Sequence, residues 1–123
     1  MTSERQQIEA VLQVYFDGLY ENDPAKIKQA FHECTHLFSA DDGKLGDMSR
    51  EVWIEKMRSR PSAKSTGQKR NDQIVSIDQT GPATALAKVH CQLPPRFFTD
   101  YLMLVKLVDG WKIVSKTFHT EMR

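Results

Sequence analysis

Cysteine is nearly absent from this chain. Cys34 and Cys91 are the only two, far apart and outside any Cys-x-x-Cys arrangement. They are expected to be reduced thiols of a cytoplasmic protein rather than a disulfide. An excess of either charge is missing as well: 17 basic against 16 acidic side chains leave a formal charge of +1. No long-range field then draws nucleic acid, and a DNA- or RNA-binding role is not expected. Apolar runs are too short to span a membrane. The first residues, Met1-Thr2-Ser3-Glu4-Arg5-Gln6-Gln7, are polar and do not read as a signal peptide. Internal repeats and low-complexity tracts are also lacking.

What remains is an ordinary globular composition, 40% apolar and 27% charged over 123 residues, read as one domain spanning residues 1–123. Ile8, Val11, Leu12, Tyr15, Phe16, Leu19 and Tyr20 recur at helical spacing and form one broad stripe. Ser3 with Gln6 suits a capping box at the start of that helix. Asn22-Asp23-Pro24 ends it and opens a second helix, with Asp23 as N-cap and Ile27, Ala30 and Phe31 as its apolar face. Thr35 to Ala40 reads as a short strand and Asp41-Asp42-Gly43-Lys44 as a turn. Ser49 caps a third helix, Arg50 to Arg58, that buries Trp53, Ile54 and Met57.

Residues 62–71 are polar and basic, with Lys64, Lys69 and Arg70, and read as an exposed loop. Gln73 to Asp78 and Ala83 to Leu93 are strands. On the second, Ala83, Ala85, Ala87, Val89 and Cys91 point to one face and Thr84, Lys88, His90 and Gln92 to the other. Small residues on the apolar face leave space, as a concave sheet over a helix requires. After Pro94-Pro95, the segments 97–108 and 111–119 flank Asp109-Gly110, the signature of a β-hairpin. Nearly every position from Tyr101 to Val105 is apolar, so this strand is expected to be covered on both faces. One cover is the chain's own helices. The other is a second subunit, with Leu102 and Leu104 as the expected contact residues. The order implies an α+β fold: three N-terminal helices packed on a strongly curved antiparallel β-sheet.

These elements resemble the nuclear transport factor 2-like superfamily, the cone-shaped fold shared with ketosteroid isomerase and SnoaL-type cyclases. More narrowly they resemble its putative lumazine-binding family. The likeness is carried by Tyr20-Glu21-Asn22-Asp23-Pro24, Phe31-His32, Ile77-Asp78, the segment 100–106 and the segment 109–118. It implies a pocket between the concave sheet face and the helices, and usually a homodimer through the outer face. Fold alone does not imply function in such a superfamily.

His32-Glu33-Cys34-Thr35-His36 spells the His-Glu-x-x-His pattern of zinc proteases, which needs both imidazoles on one helix face. The family resemblance implies that the second helix ends near His32, and Thr35 to Ala40 reads as strand, so no metal site is expected. Asp100 precedes the apolar core strand. It is either a structural partner of a neighbouring lysine or a pocket acid or base. Lys116 and His119 lie on the last strand with opposite parity, so at most one faces the cavity. His32, His119 and Asp100 are the candidate catalytic groups, and Tyr15, Phe38, Trp53, Asp100 and His119 the candidate pocket lining.

Three readings follow. The first is a binder of a small, flat organic molecule. The second is a cofactor-independent isomerase, dehydratase or cyclase. The third is a dimerisation module with an empty cavity. Convergence of titratable groups in the interior would favour the enzyme.

Overall fold

The structure, a computed structural model, describes residues 3–123. Helix α1 spans Glu4–Glu21 and α2 spans Pro24–Ala30. The Ser3–Gln6 capping box forms at the head of α1, and Asp23 caps α2 through the Ala25 N–H. Between α1 and α2, Asn22 adopts the left-handed conformation at φ 55°. Its side chain donates to the carbonyls of Met57 and Arg60, tying the end of α1 to the end of α3 (Arg50–Arg58). The helices cross tightly at Gly18, where an added Cβ would meet the Lys26 Cβ at 3.0 Å.

The sheet has six strands: β1 (Phe31–Asp41), β2 (Lys44–Ser49), β3 (Gln73–Thr80), β4 (Thr84–Leu93), β5 (Arg96–Leu107) and β6 (Gly110–Met122). They are arranged in the order β2-β1-β6-β5-β4-β3. Helix α3 (Arg50–Arg58) follows β2. The architecture is α+β, with three helices and one open, curved sheet.

Three sequence expectations need correction. The first strand begins at Phe31 rather than Thr35, because Phe31 pairs with Ile113 and is drawn into the sheet. The turn at 41–44 joins β1 to β2, so two strands separate α2 from α3 and the helices are not all N-terminal. The polar segment Lys44–Ser49 is an edge strand with no apolar alternation to mark it. The sheet is also not wholly antiparallel, since β1 lies parallel to β6.

The last hairpin forms as read, with Leu107 opposite Gly110. Ala83 lies exposed in the turn before β4, whereas from Ala85 on the alternation is as read, with Ala85, Ala87, Val89 and Cys91 buried. They pack with Ile8, Leu12, Tyr15, Leu19, Leu102 and Leu104 in one core under α1. Glu4 at the head of α1 accepts from Lys106 and from the Trp111 indole, clasping the helix to the hairpin. No described helix is long and apolar enough to cross a membrane.

Candidate functional site

The core holds three polar side chains that the apolar pattern does not require: Thr35, Asp100 and Lys116 are all buried. The Thr35 hydroxyl donates to the Ile113 carbonyl at 2.8 Å. Ile113 stands where the regular ladder between β5 and β6 shifts, so the hydroxyl occupies a backbone acceptor there. Thr35 is therefore structural.

Asp100 and Lys116 meet Tyr15 of α1. The Tyr15 hydroxyl donates to Asp100 Oδ2 at 2.5 Å, and Lys116 Nζ donates to the same hydroxyl at 2.8 Å. Lys116 Nζ stands 3.9 Å from Asp100 Oδ2. The Cys91 thiol adds a longer contact to the same carboxylate oxygen at 3.6 Å. Rings of Trp53, Tyr15 and Phe118 surround the ammonium, with centroids at 4.6, 5.0 and 5.2 Å. The result is a chain, Lys116 to Tyr15 to Asp100, in an aromatic shell. Asp100 Oδ1 is buried and has no hydrogen-bond partner among the described residues.

The position of Lys116 depends on a bulge. Met103 pairs with Ser115 and Leu104 with Ile113, so Val114 is an extra residue on β6. Trp111 and Ile113 face the core at odd numbers, and beyond the bulge the core face passes to Lys116 and Phe118. By strict parity from Trp111, Lys116 would face outward and His119 inward. The bulge reverses both.

The candidate residues therefore divide. Tyr15, Trp53 and Asp100 come together. His119 pairs with Thr99 and Phe38 with Thr117, which puts both on the opposite face. His119 also borders a cleft of about 440 Å³ beyond the last β1–β6 pair, together with Phe118, Ser39 and Asp41. His32 is half-buried on β1, and its Nδ1 accepts from the Cys34 N–H. His36 pairs instead with Asp47 across the β1–β2 hairpin at 2.6 Å. A strand rather than a helix carries the two imidazoles, so the zinc-protease arrangement does not form. Both cysteines are free, Cys34 exposed and Cys91 buried.

Lys116 was missed as a member of the site because its burial depends on the bulge. The signal available was slight: an aspartate stood at the head of the apolar run of β5, and β6, the strand that pairs with it, carried a lysine among other polar residues.

Burial raises the Tyr15 hydroxyl well above its ordinary 10.0, and the adjacent Asp100 charge raises it further. Burial first, then the same carboxylate, pushes the Cys91 thiol far above its ordinary 9.0. The native state therefore keeps two protons that the unfolded chain loses in alkali, and stability falls as pH rises. The expected loss is about 1.4 kcal/mol per pH unit once the unfolded thiol ionises and about 2.7 kcal/mol per unit once the unfolded phenol does too. Urea titrations from pH 8 to 11 measure this. Tyr15→Phe should remove about half of the steeper slope, and an unchanged slope would contradict the burial of this hydroxyl.

Comparison with known proteins agrees with this fold. Residues 3–119 match the profile of the family described as "Putative lumazine-binding". The chain belongs to that family. A curated relative, Aldolase FrzH from Cladobotryum sp, is 27% identical over 124 residues, covering 99% of this chain and 95% of the relative. A solved nuclear transport factor 2-like protein of unknown function from Shewanella baltica is 27% identical. It superposes with a TM-score of 0.85, covering 98% of this chain and 95% of that one. A ketosteroid isomerase-like protein from Erwinia carotovora atroseptica shares the fold at a TM-score of 0.75. It is 14% identical, and each chain is covered completely. At that identity the likeness extends to the fold alone.

Proposed function

We propose that this protein is a cytoplasmic, cofactor-independent enzyme that removes a proton next to the carbonyl of a small organic molecule, the first step of isomerase and aldol chemistry. The single observation that carries this reading is the unpartnered oxygen Asp100 Oδ1, buried beside an ammonium with donors to spare. In the cone-shaped enclosure that the family resemblance implies, a carbonyl compound would enter past Phe98 and Phe118. These two are half-buried, with ring centroids 6.2 Å apart.

Asp100 Oδ1 would accept the α-proton, and the C–H electron pair would move onto the carbonyl oxygen. Lys116, which spends one of its three N–H groups on Tyr15, would donate to the oxyanion. Tyr15 would hold Asp100 and Lys116 in place. An apolar setting strengthens each of these interactions over its value in water. The aldolase name of one relative supports this class, because an aldol reaction begins with the same proton removal. Simple binding of a flat ligand is favoured less, because an apolar guest has no use for a buried acid and amine.

The test is proton exchange. The protein is incubated in heavy water with enolisable aldehydes, ketones and β-hydroxy ketones, and loss of α-proton signals is followed by NMR. One class should exchange faster than in buffer, and Asp100→Asn should lower that rate about 10²- to 10⁴-fold. No exchange with any class, or full exchange by the variant, would overturn the proposal.

We further propose a homodimer through the outward sheet face, where Tyr101 is 46% and Met103 40% exposed.

A further inference from the structure

A second site lies where the segment after α3 meets the start of β5, and its guanidinium groups differ from that of Arg70 in the basic loop. Arg70 is spent locally: it bridges Asp17 at 2.9 Å and Asp72 at 2.7 Å and lies over the Tyr20 ring. Arg60 and Arg96 have no such partner among the described residues. Both line one cleft of about 240 Å³ with Leu19, Ser62, Thr66 and Leu93, and no carboxylate belongs to its walls. Arg60 is half-buried there, and both its burial and the charge of Arg96 work against its protonated form. An arginine does not answer by losing its proton. The C-terminal carbonyls of α3 lie next to Arg60 in sequence and offset part of one charge, not two.

The cleft is held open by bonds that leave the guanidiniums unoccupied. Asn22 pins the Arg60 carbonyl at 2.9 Å, and the Gln68 side chain donates to the Pro94 carbonyl at 3.3 Å. The Tyr20 hydroxyl fixes the Gln68 carbonyl at 3.1 Å. The Ser62 hydroxyl oxygen accepts from the Ser65 N–H at 2.9 Å, so its own hydrogen is available to a guest. Two cations brought together without a counter-charge repel each other, and an oxyanion with several lone pairs relieves that repulsion while taking up the forked donors.

We infer that the cleft between Arg60 and Arg96 is a binding site for a small oxyanion, the carboxylate or phosphate group of an organic acid or phosphate ester. The site stands independently of the reaction proposed above, and its test does not read activity.

The probes are inorganic phosphate and malonate, each titrated at constant ionic strength with chloride as the balancing anion. Amide NMR shifts and the thermal midpoint are followed. At least one probe should saturate shifts at Ser62, Ala63 and Thr66 and raise the midpoint, because it binds the native state. Preference for phosphate or for malonate identifies the group. Arg60→Gln and Arg96→Gln should each weaken binding at least tenfold, and Arg60→Gln should hold or raise the midpoint without anion by removing the repulsion. Arg70→Gln should leave anion affinity unchanged. Titration without saturation, or an affinity in both cleft variants equal to that of the natural chain, would overturn the inference, as would a fall in affinity only for Arg70→Gln.

Discussion

Asp100→Ala should cost about 3–5 kcal/mol of stability, because it leaves the Lys116 ammonium buried without its carboxylate. Few substitutions in this chain should do more harm for the loss of so few atoms. The double variant Asp100→Leu with Lys116→Met should recover most or all of that loss. Taking both charges out of an apolar site and filling the volume with carbon removes two desolvation costs together. Chemical denaturation of the three proteins measures it. A double variant as weak as Asp100→Ala would show that the pair contributes net stability, and that its burial has a structural explanation. A double variant as stable as the natural chain would mean that the pair is kept for another reason, such as the proposed proton transfer.

The second large effect separates two neighbours on β5. Leu102 and Leu104 are fully buried against the helices, so Leu102→Glu or Leu104→Glu would place a carboxylate in hydrocarbon. Neither should yield folded protein. Tyr101 and Met103 point to the other face, and Tyr101→Glu or Met103→Glu should fold normally but dissociate the proposed dimer. This corrects the expectation that Leu102 and Leu104 meet a second subunit. The unbroken apolar run from Tyr101 to Val105 hid the alternation, since a strand with both faces apolar gives no parity signal. Circular dichroism together with light scattering distinguishes the outcomes. Folded Leu102→Glu, or dimeric Tyr101→Glu, would reverse the assignment of faces.

Much of the fold was legible because the local signals agreed with one another. The stripe from Ile8 to Leu19, the caps at Ser3, Asp23 and Ser49, and the alternation on β4 all name structures that form. What the sequence concealed depends on pairing between distant segments. Lys44–Ser49 becomes a strand only because β1 offers it an edge. The parallel pairing of β1 with β6 has no local signature. The site was half visible. Asp100 and Tyr15 were named separately, one as a carboxylate before an apolar strand and the other as an aromatic on the helix stripe. Their contact spans 85 residues of sequence. Lys116 was hidden by one residue, the bulge at Val114, which inverts every later side chain on β6.

On the proposed function, Asp100 and Lys116 are held together in the core to move a proton on a carbonyl compound. The most direct measurement is the rate of α-deuterium incorporation by the folded Asp100→Leu, Lys116→Met protein, using whichever carbonyl class the natural chain turns over. A loss of at least about 10²-fold with the fold intact is expected. Equal rates in the two proteins would contradict it.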